Sequence, residues 1–172
     1  MKFRPPPYNR ILLALILLTA GCQTDRLPGS KEASTLRLHL ETRPDPTERT
    51  QPIVVFTESP IKLNVAKEPF LDESSVAEAR IIEADGRFAI AVTFTTHGKL
   101  VLETTSHTHR NRHIGIFSQF PQGRWIGAFL INRRLSDGTL LFRMDGTREE
   151  ADRLVSGLNK VAAALKKRGE QY

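Results

Sequence analysis

Residues 79–106 read ARIIEADGRFAIAVTFTTHGKLVLETTS, and their reading decides the fold. Two apolar runs, 79–84 and 87–94, flank Asp85-Gly86. An Asp-Gly pair suits a tight hairpin turn, whose central residues need positive φ, so the two runs are predicted to pair as antiparallel strands. The second run passes straight into Thr95-Thr96. Either threonine can cap a helix that runs to about Ser106, weakened slightly by Gly98.

Working toward the C-terminus, residues 107–112 are polar and turn the chain. Residues 114–120 form an Ile- and Phe-rich strand, 121–123 (Pro-Gln-Gly) a turn, and 124–131 a further strand in which Gly127 and Ala128 permit close packing. A loop over 133–138 leads to a short strand, 140–144. Thr147-Arg148-Glu149-Glu150 then matches the capping box, in which threonine and glutamate each satisfy the other's free amide. Ala151, Leu154, Val155, Leu158, Val161, Ala162 and Leu165 follow at the helical period. Lys166, Lys167 and Arg168 complement the negative end of the dipole, and Gly169 ends the helix.

Toward the N-terminus, residues 36–42 alternate strictly as a half-buried strand. A proline-containing charged loop follows, then strands over 52–57 and 61–66, and a connection over 67–70. Asp72 is placed to cap a short helical turn reaching Ala79, with Glu73 in its first turn. The whole is an α+β domain over residues 36–172, an antiparallel or mixed sheet with two main helices packed on one face.

The first residues are of another kind. Lys2, Arg4 and Arg10 precede the uncharged run 11–20, ILLALILLTA. That run fits the apolar segment of a secretory signal and is too short to span a bilayer, which needs about 20 residues. Removing residues 1–21 lowers the formal charge from +6 to +3. So small an excess gives no case for nucleic acid and suits only weak attraction to anionic headgroups.

Leu18-Thr19-Ala20-Gly21-Cys22 resembles the lipobox of bacterial lipoproteins. The resemblance implies cleavage between Gly21 and Cys22, a diacylglycerol group on the Cys22 sulfur, and an acylated (palmitate-type) amino group. Acyl chains contribute about 0.8 kcal/mol per buried CH2 to membrane anchoring. Cys22 is the one cysteine of the chain, so an internal disulfide is excluded. Residues 22–35, mostly polar and charged with few apolar positions, read as a flexible tether. Gln23 after the cysteine, by resemblance to proteobacterial sorting, implies the outer membrane, facing the periplasm.

Residues 87–168 carry a second resemblance. Phe94-Thr95-Thr96-His97-Gly98, then Asn111-Arg112-His113-Ile114-Gly115-Ile116, then Asp145-Gly146-Thr147-Arg148-Glu149-Glu150-Ala151 are similar to the first periplasmic head subdomain of SecD and SecDF, membrane subunits that assist protein export. The resemblance implies the fold of that head and contact with exported polypeptide. Two features depart from it. SecD has several membrane helices, and its hairpin carries Ser-Ala-Pro where this chain has Ile126-Gly127-Ala128-Phe129. Proton-driven export is therefore not carried over.

Few residues suggest chemistry. His107, His109 and His113 have the spacing of metal ligands, but Arg110 and Arg112 beside them oppose a cation. Ser106, His107 and Asp137 could compose a triad, yet no Gly-x-Ser-x-Gly elbow presents the serine. Phe117, Trp125 and Phe129 stand on one predicted hairpin and are the candidate partner-binding aromatics. The expectation is a lipid-anchored, non-catalytic envelope protein without cofactor that binds a protein or peptide, with an association with export as what the second resemblance implies. The alternatives are a structural envelope lipoprotein or, less favoured, a small hydrolase or metal-binding lipoprotein.

Overall fold

The computed structural model of the protein describes residues 34–84, 87–119 and 122–169. The signal segment, Gly21, Cys22, most of the tether and the Asp85-Gly86 turn lie outside the described residues.

The chain runs β1 (Arg37–Leu40), β2 (Thr50–Val55), β3 (Ile61–Ala66), β4 (Leu71–Asp72), a 3-10 turn (Glu73–Ser75), β5 (Val76–Ala84), β6 (Arg87–Phe94), α1 (Thr96–Thr108), β7 (His113–Gln119), β8 (Gly123–Leu130), β9 (Thr139–Phe142) and α2 (Arg148–Gly169). The strands make three sheets, ordered β4-β1-β7-β8, β2-β3 and β5-β6-β9. Their pairings are antiparallel, which resolves the expected antiparallel or mixed sheet. The predicted β5–β6 hairpin forms with Ala84 opposite Arg87, at the register that a two-residue turn demands.

The expected helical turn from Asp72 to Ala79 is shorter than its sequence suggests. Asp72 does act as the cap, its carboxylate accepting from Ser74 N, but the turn ends at Ser75. Val76 already pairs with Phe94 as a strand residue. Pairing with β6 satisfies backbone groups that a lone helical turn would leave open, and the β-branched side chain favours it.

The main core lies between the helices and the inner faces of the two larger sheets. Leu38, Ile114, Ile116 and Ile126 come from the first sheet, with Leu36 just before β1, and Ile90, Val92 and Leu140 from the third. Leu102 of α1 and Ala151, Leu154 and Leu158 of α2 close it. Each fully buried Leu or Ile contributes about 1.5–3 kcal/mol. The sheets meet where Asp145 N–H donates to Ile126 O at 2.7 Å. Gly127 allows this approach: a Cβ there would stand 2.9 Å from Arg143 O and 3.0 Å from the Phe142 ring.

Both helix caps form as their sequences predict. Thr95 Oγ1 accepts from Gly98 N at 3.3 Å. At α2, Thr147 N donates to the Glu150 carboxylate at 3.1 Å, while Glu150 N donates to Thr147 Oγ1 at 3.3 Å. Arg124 holds the same Glu150 oxygen at 2.8 Å, tying the helix start to β8.

Candidate functional site

The outer face of the four-stranded sheet is covered by the β2–β3 hairpin. Ile53, Val55, Leu63 and Val65 form a second, smaller core there, with Trp125 and Ala128 packed against it. Trp125 meets His39 edge-on at 5.0 Å and Phe117 at 5.3 Å between ring centroids. His39 is 5% exposed and its Nδ1 lies 2.9 Å from Ala66 O, so the neutral ring donates from Nδ1. Burial, above all, lowers its pKa below the usual histidine value, and the Arg37 charge adds to this. The hairpin tip is pinned separately: Thr57 N and Oγ1 both donate to Asp145 Oδ2, at 3.2 and 3.1 Å.

The three candidate aromatics therefore do not form one surface. Trp125 sits on the outer face under the hairpin, and Phe117, its opposed partner on β7, packs edge-on against it. Phe129 packs against the main core on the inner face. A register shift between Ile116 and Phe117 puts Ile126 into the core and separates them.

The histidines are likewise dispersed in role. His107 is exposed in the last turn of α1, and His109 caps that helix. His109 has its pKa lowered by partial burial and by the Arg112 charge. His113 opens β7, where both its backbone N–H and its Nδ1 lie 2.7 Å from Glu41 Oε2. No group of three or more metal-ligating side chains occurs among the described residues.

Ser106 has a structural duty. It is 0% exposed, its hydroxyl donates to Glu103 O at 3.0 Å, and it accepts from Leu135 N at 2.9 Å. The Asp137 carboxylate is turned to its own loop, accepting from Thr139 N. Neither arrangement offers an activated hydroxyl.

The feature that sequence reasoning missed is a groove along the edge of β5. Helix α2 runs back along this strand: Arg148 pairs with Glu83 near its start, and Asn159 reaches Ala79 farther on. Ala79 N donates to Asn159 Oδ1 at 2.8 Å, and Asn159 Nδ2 donates to Ala79 O at 2.9 Å. The side-chain amide thus completes the strand edge as a neighbouring peptide would. Beyond it, Val76, Ala77, Ala162, Ala163 and Leu165 line an open groove of about 680 Å³, with Thr95, Ser74 and Lys166. Leu165 is 38% exposed there. Asn159 was the available signal, an unfavourable helix residue set inside an apolar stripe.

No protein-family model matches the chain, and no curated protein matches it in sequence. Its fold is similar to solved structures of SecDF. A crystal structure of SecDF in a super-membrane-facing form aligns at TM-score 0.57 and 16% identity over 75% of this chain. The chain spans only 19% of that protein. A structure of SecDF described as a membrane component that enhances protein export aligns at TM-score 0.56 and 15% identity. That match covers 92% of this chain and 71% of the other. The fold expected from the SecD head resemblance is therefore the fold observed. Among the described residues no helix is long and apolar enough to cross a membrane.

Proposed function

We propose that the protein is a lipid-anchored component of the bacterial envelope whose domain holds a polypeptide partner, without catalysis, close to protein export. The observation that carries this reading is the fold, which the chain shares with SecDF, a membrane component that enhances protein export. The lipobox-like segment ending in Cys22 supports anchoring through acyl chains, with the outer membrane as the destination.

We assign the partner contact to the β5–α2 groove. Trp125 already spends its aromatic face on the β2–β3 hairpin, and Phe117 packs edge-on against Trp125. The groove, in contrast, presents Leu165 and the methyl groups of Ala77, Ala162 and Ala163 to solvent beside a strand edge. Such a site suits an extended apolar segment, which gains burial along the helix and loses little by lying straight.

The test is in-cell crosslinking from a photoreactive side chain at Leu165, with Cys22→Ser as the unanchored control. Capture of translocase subunits or exported chains, reduced in the control, is expected. Capture of abundant envelope proteins alone, equal in both forms, would overturn the export assignment.

A further inference from the structure

The end of the domain where α1 hands over to β7 concentrates positive charge. Two segments meet there, the turn 109–112 and the loop 131–134. Backbone hydrogen bonds of 2.9 Å, Asn111 N to Ile131 O and Ile131 N to Arg112 O, bind them together. Asn111 takes φ 61, a left-handed conformation that asparagine tolerates, and this bends the turn onto the loop. The result gathers Arg110, Arg112, Arg133 and Arg134 from two separate places in the sequence, all four of them exposed.

The acids nearby are engaged already. Glu103 pairs with Arg134, and Glu41 holds His113. Two of the remaining guanidinium groups are braced by backbone carbonyls rather than neutralised. Arg110 Nη2 donates to Asn132 O at 2.9 Å, and Arg112 Nη1 donates to Glu41 O at 3.4 Å. A carbonyl fixes one edge of the planar group and leaves its charge and remaining N–H donors available. Residues 107–113 and 131–136 include no acid and no Phe, Tyr or Trp. The absence of stacking side chains disfavours single-stranded nucleic acid as the occupant.

We propose that this arginine face rests on the phosphate headgroups of an anionic bilayer. Braced guanidinium groups carried on two hydrogen-bonded segments suit phosphate oxygens, and no apolar insertion is required. An acyl anchor at Cys22 would raise the local lipid concentration, but the contact does not depend on it, so this inference stands or falls apart from the function proposed above.

The test is amide hydrogen exchange on the protein as purified from cells, mixed with vesicles of phosphatidylcholine alone or with phosphatidylglycerol added. Slower exchange at 109–113 and 131–134 only with the anionic vesicles, abolished at high salt, is expected. Arg110→Gln/Arg112→Gln/Arg133→Gln should weaken the anionic-vesicle contact on the order of a hundredfold, at about fivefold per charge removed. Arg43→Gln/Lys62→Gln/Arg87→Gln, with the same change in net charge, should leave it largely intact. Equal loss in both triple variants, or no protection by anionic vesicles, would overturn the proposal. So would protection by inorganic phosphate alone, which indicates a small-anion site, or by polyglutamate but not vesicles, which indicates an acidic protein.

Discussion

The two faces of the β4-β1-β7-β8 sheet are buried by different means. The inner face carries Leu38, Ile114, Ile116 and Ile126 and is closed by two helices and a second sheet. The outer face carries His39, Gly115, Phe117 and Trp125 and is closed by one hairpin with four buried aliphatic residues. Large aliphatic side chains on one face fill space between layers. Glycine and alanine on the other let a small layer come close, with one indole filling the gap. The contrast implies a deep core that sets global stability and a shallow core that can loosen first.

The largest effect should come from the deep core. Leu158→Ala removes a fully buried side chain of α2 and should cost about 2–5 kcal/mol in denaturant unfolding. A cost below ~1 kcal/mol would erase the distinction between the cores.

Next comes the shallow core. A Cβ at Gly115 would lie 3.1 Å from Ile53 Cδ1, 3.2 Å from Trp125 Cζ3 and 3.3 Å from Val65 Cγ1. Gly115→Val should therefore wedge the hairpin outward at a cost of about 1–3 kcal/mol. Because Trp125 is the single tryptophan, its emission should shift to the red while the helical circular dichroism stays unchanged. Loss of both signals together would show one cooperative unit instead of two cores.

Asn159→Leu keeps the branched side-chain shape but strips Ala79 of both edge hydrogen bonds. About 1–2 kcal/mol should be lost by thermal unfolding, with faster amide exchange confined to β5.

The smallest effect concerns acidity. In the unfolded chain His39 binds its proton near the ordinary histidine value of 6.5, and in the folded chain its pKa is lower. Between the two values the unfolded state holds more protons, so stability falls as pH drops below 6.5 and is fully present above it. His39→Gln should flatten that part of a pH series of unfolding midpoints, and Trp125 emission should report the hairpin loosening first.

Local signals made α2 and the β5–β6 hairpin legible. The Thr147–Glu150 box, the helical spacing of Leu154 and Leu158, and Asp85-Gly86 each act within a few residues of the structure they create. The α+β class followed from their order. The cover of Trp125 was not legible, because Gly115 and Val65 are far apart in sequence and neither shows its neighbour locally. β4, at two residues, carries no periodic pattern, and its place beside β1 is fixed by Leu71 entering the core. The groove escaped notice for a related reason: α2's apolar stripe reads as core throughout, whereas its C-terminal part, with Leu165, extends beyond what the sheet covers.

The central claim is that a partner chain binds the β5–α2 groove and not the aromatic hairpin. Titration of the isotopically labelled protein with an unfolded apolar peptide, followed by amide and indole NMR, tests it directly. The account predicts shifts at Val76, Ala77, Ala163 and Leu165 with the Trp125 indole unmoved. Shifts at the Trp125 indole and Phe117 with a silent groove would contradict it.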